Sequence, residues 1–280
     1  MNLIAVDIGN TNTNVGLFIG DGERYIKTVG GDDRDALEET IVSAWEEVPF
    51  VTGATVKKRD GFIVVSSVNS ERTKILEEMC KSELDEKIKL IGREVPLPIE
   101  TGVDDSMAVG TDRLVNAAAA FAVIEDAVVV ADFGTAVTID MVDEEGVFMG
   151  GVIAPGFEGS AKVLELMTEK LPELKDKVQA PKNPAGANTL EAINCGLYYS
   201  AVGLLRTVVE KYAEELERWP QVVVTGGGAE AIKADCDFVD SWVPNLAVRG
   251  VVLAYKKHLA DKAELAEFEA GDSKRPNRKR

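Results

Sequence analysis

Two stretches of this chain repeat the same local pattern about 125 residues apart. The apolar run LIAVDIG ends in Asp7-Ile8-Gly9, turns through Asn10, Thr11 and Asn12, and returns as NVGLFIG. Later AVVVADFG ends in Asp132-Phe133-Gly134, turns at Thr135, and returns as AVTIDMV. The shared Asp-x-Gly is short. Its weight comes from the recurrence of strand, turn and strand in one order. A third strand-like run follows each pair, RYIKTVG in the first half and EGVFMGG in the second. Strands then alternate with helical patterns in both halves, which predicts α/β sheets covered by helices.

The remaining elements follow from periodicity and punctuation. A helix is expected from about Asp33 to Trp45, then a buried parallel strand over Phe62–Val68. Ser70 is expected to cap a helix reaching about Leu84. KIKLI reads as a short strand, EVPLPIETGVDDSM as a proline-bearing loop, and TDRLVNAAAAFAVI as a small-residue helix entered from Gly110. A long helix from Thr189 to about Arg218, the strand QVVVT, a glycine-rich turn opening a helix, and a last helix over about Asn245–Glu267 complete the pattern. The expected division is a first domain over residues 1–118, a second over 119–268, and a basic, solvated tail over 269–280.

Composition excludes several functions. The 280 residues carry a formal net charge of −17, which works against nucleic-acid binding. No run of about 18 apolar residues predicts a membrane span, and the N-terminus lacks a secretory pattern. Cys80, Cys195 and Cys236 have no C-x-x-C spacing, as expected of free thiols in a reducing cytoplasm. The single histidine, His258, excludes a multi-histidine metal site.

Three features suit phosphate chemistry. Asp7 and Asp132 each place an acid at the end of a buried strand, where it can meet magnesium directly or through water. Each is followed by a glycine whose N–H can approach a phosphate, and Asn10, Thr11, Thr13 and Thr135 add neutral donors. Thr225-Gly226-Gly227-Gly228-Ala229 leaves bare backbone for an adenine or a ribose. Each piece alone is also an ordinary turn. Neither a Walker A sequence nor a G-x-G-x-x-G after a strand occurs. Taken in order, the three match the layout shared by actin, hexokinase and the heat-shock chaperone ATPases. That layout is α/β, with duplicated actin-like (ribonuclease H-like) domains and a nucleotide cleft between them.

A kinase of this class needs an acid that orients, or takes the proton from, the acceptor hydroxyl. Asp112, in Gly110-Thr111-Asp112-Arg113, falls at a predicted helix N-terminus, where a carboxylate is held ionised. Arg113 beside it suits a bidentate grip on a substrate carboxylate. A helix-start acid followed by a surface arginine is the alternative.

At these residues the chain resembles type III pantothenate kinases. The resemblance runs through Asp7-x-Gly9-Asn10-Thr11 with Gly16, Gly110-x-Asp112-Arg113 with Asn116-Ala117, and Asp132-Phe133-Gly134-Thr135-Ala136 with Thr138 and Asp140. It continues in Gly150-Gly151-x-Ile153-x-Pro155-Gly156, Leu171-Pro172, Gly186 with Thr189, Gly196, and Thr225-Gly226-Gly227, covering roughly residues 2–255. It implies a cytoplasmic homodimer that phosphorylates pantothenate from ATP, using magnesium and a monovalent cation such as potassium or ammonium. By position it implies Asp112 as the base and Gly110, Thr111, Asp112, Arg113 and Thr189 as pantothenate contacts. It implies Asp7, Ile8, Gly9, Asn10, Thr11, Asn12 and Thr135 around ATP, Asp7 toward magnesium, and Asp132 at the monovalent cation.

The chain departs from that pattern in two places. Where the family has an aromatic and an Asn-Pro pair before Gly-x-Asp-Arg, it carries Val103, Asp105 and Ser106. Its Thr-Gly-Gly-Asp reads Thr225-Gly226-Gly227-Gly228. Two other readings stay open: a kinase of the same fold for another small hydroxylated acceptor, and a non-catalytic transcription accessory factor of the same fold.

Overall fold

The computed structural model describes residues 1–53 and 58–272. In the first unit, β1 (Asn2–Ile8) pairs antiparallel with β2 (Asn12–Ile19), and β2 with β3 (Gly22–Gly30). Helix α1 (Arg34–Glu47) follows, then β4 (Phe62–Ser67), which lies parallel to β1. Helix α2 (Ser70–Leu84) leads to β5 (Ile88–Leu90), parallel to β4. The sheet order is β3-β2-β1-β4-β5. Leu37, Ile41, Ala44 and Trp45 of α1 pack in one core with Ile4, Val6, Val15, Leu17 and Ile63. The cap of α2 is Asn69, whose side chain accepts from the Arg72 N–H, so the expected Ser70 cap lies one residue late. Asparagine, extended at this position, reaches the free amides of the first turn as well as serine does.

The second unit begins at β6 (Glu100–Thr101), followed by a short 3₁₀ turn over Ser106–Ala108 and then α3 (Thr111–Ile124). Strands β7 (Val128–Phe133), β8 (Ala136–Val142) and β9 (Val147–Pro155) form an antiparallel meander. Helices α4 (Phe157–Met167) and α5 (Thr189–Leu216) precede β10 (Gln221–Thr225), parallel to β7, and β11 (Ser241–Trp242). The order is β11-β10-β7-β8-β9-β6. Without β6, this is the first sheet's order again, so the short sequence repeat marks a duplicated topology. The glycine turn after β10 opens only a 3₁₀ helix, Ala229–Asp235, rather than an α-helix.

By length and composition α5 is apolar enough to cross a membrane, although it holds no unbroken apolar run of that length. Its stripe of Tyr198, Ala201, Leu205 and Val209 is buried instead, in one core with Val129, Ala131, Val222 and Val224.

The chain then returns. Helix α6 (Leu246–Asp272) belongs from Val248 onward to the first unit, which comprises Met1–Pro98 together with this helix, while Ile99–Ala247 form the second. Val248 fills the space beside Gly16 of β2, and the Tyr255 ring lies 5.2 Å from Phe62 of β4. These limits differ from the expected 1–118 and 119–268 for two reasons. Helix α3 is tied to β7 through Asn116 and Asp132, and α6 crosses back. A linear reading of repeats detects neither connection. The helix extends through Asp272, inside the stretch expected to be a solvated tail, and residues 273–280 lie outside the described residues.

Candidate active site

At the β1–β2 turn, Asp7 is 8% exposed at the strand's C-terminal end, opposite Asn14 and Ser66. Ile8 is buried in the core, and Asn10, Thr11 and Asn12 form the exposed tip. Thr13 is buried at the start of β2 and belongs to the sheet rather than to the tip. The Gly9 N–H donates to the Asn12 carbonyl at 3.0 Å, and the Gly134 N–H donates to the Ala136 carbonyl at 3.0 Å. Both glycine amides therefore close their own turns, contrary to the expectation that they face a phosphate. The second turn is also one residue shorter, since Phe133 pairs with Val137 where Ile8 pairs with Thr13.

The second unit assembles a set of acids around α3. Gly110 caps α3 without a side chain, and Thr111, Asp112 and Arg113 form its half-buried first turn. The Asp112 carboxylate accepts from the Arg113 N–H at 2.8 Å. Burial raises its pKa above the ordinary aspartate value, outweighing that hydrogen bond and the Arg113 charge. The helix terminus thus does not hold it as readily ionised as expected from sequence.

Arg113 is turned inward. Its Nε donates to Asp140 at 3.0 and 3.2 Å, its Nη2 donates to the same carboxylate, and its guanidinium lies 5.4 Å from the centre of the Phe148 ring. The fork expected to grip a substrate carboxylate is mostly occupied by a buried acid of β8. Asp140 fits because Gly151 on β9 has no side chain; a Cβ there would collide with the carboxylate and the Ile139 carbonyl. Gly151→Ala is expected to lower stability by about 1–3 kcal/mol by overpacking, read as a lower urea midpoint.

Asp132 ends β7 beside them. Asn116 Nδ2 donates to its Oδ2 at 2.9 Å, and Gly226 comes so close that a Cβ there would collide with Oδ1. Burial pushes the Asp132 pKa up to about 6, with the Asp112 charge adding and the Asn116 hydrogen bond opposing. Asn116 Oδ1 is buried and has no hydrogen-bond partner among the described residues. A charged acid held at such cost, next to an orphaned carbonyl oxygen, fits a cation better than an apolar or anionic group. Among the described residues no group of three or more His, Cys, Asp or Glu is placed to hold a metal ion. A cation here would therefore take further ligands from backbone, water or substrate.

The structure thus brings Asp112, Arg113 and Asp132 together, and adds Asn116 and Asp140. In the sequence both Asn116 and Asp140 stand only as members of the resemblance's motifs, with no role attached. An acid inside the apolar strand AVTIDMV was the available signal for Asp140. Thr135 is exposed in the β7–β8 turn, where its carbonyl accepts from the Gly156 N–H at 3.0 Å. Thr189 starts α5 and lines a cavity of about 550 Å³ with Pro155, Val163, Leu164, Leu171 and Ile193. That lining includes neither Asp112 nor Arg113. Val103 is half-buried over Gly150 of β9.

The family model described as type III pantothenate kinase matches residues 3–211. A type III pantothenate kinase of Dehalococcoides mccartyi (strain CBDB1) is 30% identical over 257 residues, 91% of this chain and 95% of that protein. A Campylobacter jejuni structure described as a conserved putative Baf family transcriptional activator superposes with a TM-score of 0.57 at 21% identity, covering 92% of this chain and 98% of that one. MreB5 of Spiroplasma citri bound to ADP superposes with a TM-score of 0.50 at 12% identity, covering 95% and 98%. These two likenesses concern the fold, which is that of the actin-like ATPases.

Proposed function

Because the chain belongs to the type III pantothenate kinase family, we propose how its residues divide the ATP-dependent phosphorylation of pantothenate, the first step of coenzyme A biosynthesis. The observation that carries the assignment is the cluster of Asp112, Arg113 and Asp132 around the first turns of α3, with Asp140 holding the arginine. Asp112 orients the pantothenate hydroxyl and takes its proton as the hydroxyl oxygen bonds to the γ-phosphorus and the bond from that phosphorus to the β-phosphate oxygen breaks, releasing ADP. Its raised pKa brings it closer to the operating pH, as a base requires. Arg113 supplies positive charge from a fixed position; with Nε and Nη2 engaged by Asp140, its remaining nitrogen, Nη1, is the one left to contact substrate. Gly110, Thr111 and Thr189 are assigned to the pantothenate pocket.

Asn10, Thr11 and Asn12 at the exposed tip of the first turn hold the ATP phosphates, with Ile8 and Gly9 shaping that turn and Thr135 contributing from the second. Asp7 is assigned to magnesium, and Asp132 with Asn116 Oδ1 to a monovalent cation, potassium or ammonium. Bound there, the cations offset the negative charge of the phosphates. A cytoplasmic location accords with three buried free thiols, Cys80, Cys195 and Cys236.

A homodimer is supported by α4, none of whose residues is buried although Val163, Leu166 and Met167 are apolar. Ile153, Leu190 and Tyr199 of the same unit are also exposed, and exposed apolar patches mark interaction surfaces. Leu166→Asp is expected to convert a dimer to a monomer in sedimentation; a wild-type protein already monomeric at micromolar concentration would remove this assignment.

The test of the activity is phosphorylation of pantothenate by purified protein with Mg·ATP, with and without potassium or ammonium, beside a panel of sugars. Cation-dependent turnover of pantothenate supports the reading and shows that Val103 is compatible with that acceptor. Faster turnover of a sugar would reassign the acceptor. A folded, ATP-binding protein with no turnover would point to a regulatory use of the fold.

A further inference from the structure

Arg72 belongs to none of the motifs above, and its position is locally unfavourable. It lies in the first turn of α2, its N–H bound to the Asn69 cap, and a cation there opposes the helix dipole. Its side chain is only 17% exposed and runs to the β1–β2 turn. Nη1 donates to the Gly9 carbonyl at 3.0 Å, and Nη2 donates to Asp32 at 3.3 Å. The guanidinium fills the space over Gly31 that any side chain there would occupy. Gly31 in turn donates its N–H to the Thr11 carbonyl at 2.8 Å.

The turn is therefore held at two points. Its Gly9 carbonyl is bound by Arg72 and its Thr11 carbonyl by Gly31, against which Arg72 packs. The Asp32 pair contributes little, since that carboxylate is fully exposed. The bond to the Gly9 carbonyl is charge-assisted and largely shielded from water, the kind that counts. Only a planar group with several donors can bind a carbonyl, reach an acid and lie flat on backbone at once, which distinguishes arginine from lysine here.

We propose that Arg72 is a positioning residue for nucleotide binding: it fixes the backbone of residues 9–12 so that the tip residues meet the ATP phosphates without first being ordered. This rests on the reading of that turn as the phosphate holder. Ordering a loop on binding weakens affinity, so the loss should fall on ATP and not on pantothenate.

The experiment titrates Mg·ATP into full-length wild type, Arg72→Ala, Arg72→Lys and Arg72→Gln by calorimetry, and measures kcat, both KM values and urea midpoints. Arg72→Ala is expected to bind Mg·ATP about tenfold more weakly. KM for ATP should rise in parallel, with kcat and KM for pantothenate within about twofold of wild type. Lysine should restore part of the loss, because it reaches the carbonyl but cannot pack on Gly31. Wild-type ATP affinity in Arg72→Ala, with only the urea midpoint lowered, would overturn the proposal and leave a purely structural residue. Should the alanine variant not fold, Arg72→Gln, which keeps most of the stem and a good helix propensity, is judged by the same criterion. A wild-type protein that does not bind Mg·ATP would instead overturn the reading of the turn itself, and the proposal with it.

Discussion

Replacing Asp112 with Asn is expected to lower kcat for pantothenate phosphorylation by about 10²–10⁴-fold, with Mg·ATP affinity close to wild type and a urea midpoint no lower than wild type. The substitution preserves shape, and the amide oxygen can still accept from the Arg113 N–H as the carboxylate does at 2.8 Å. What it loses is the ability to take a proton. The pH profile gives an independent check. Burial raises the Asp112 pKa, and the base works only when deprotonated. Wild-type turnover should therefore fall as pH drops through that raised pKa, and this limb should be absent from the residual activity of the variant. Near-normal turnover in Asp112→Asn would show that another group accepts the proton.

Asp132→Asn should raise stability. The folded protein holds this carboxyl at a pKa of about 6, against 3.8 ordinarily, so keeping it charged at neutral pH costs roughly 2–3 kcal/mol. The sign follows from the raised value: Asp132's favourable contribution is complete below about pH 4 and lost as pH rises through about 6. An uncharged asparagine can still accept from Asn116 Nδ2 and avoids the cost. In buffer free of potassium and ammonium, the variant should be more stable than wild type at pH 7.5 by roughly 2 kcal/mol, with the difference vanishing below pH 4. Its turnover should also lose dependence on the monovalent cation. Equal urea midpoints at pH 7.5 would show that the charge at 132 is already compensated within the chain. A residue that weakens the fold so that a site can work is a familiar trade.

The parts of the molecule legible from sequence were those where one strand or helix is decided by its own residues. β1, β4 and β7 are buried on both faces and read as unbroken apolar runs, and α5 carries its buried stripe at helical spacing. Helix α4 has a weak start signal and a shallow apolar face: Gly156 gives it no side-chain cap, and Phe157 and Leu164 are only half-buried. The short strands β6 and β11 are two residues each and exist only through their neighbours.

The candidate site divides in the same way. Asp112, Asp132 and the turn at 9–12 announce themselves by local pattern. The inward turn of Arg113 depends on Asp140 and on the space left by Gly151, which come together only when β8 and β9 pair. Arg72 depends likewise on two loops far from it in sequence. Spacing along the chain carries no record of such meetings.

The return of α6 to the first sheet has a consequence for synthesis. The first five strands leave the ribosome early, but the helix that covers Gly16 and Phe62 is encoded about 150 residues after Pro98. At ordinary elongation rates that is a delay of roughly 8–30 seconds. During this interval the nascent chain carries one bare sheet face while residues 99–247 are being made, and those residues are complete before the helix that covers the face emerges. The first part made is thus the last to be finished, and chains that stop short of Val248 should be the ones that chaperones hold and proteases clear.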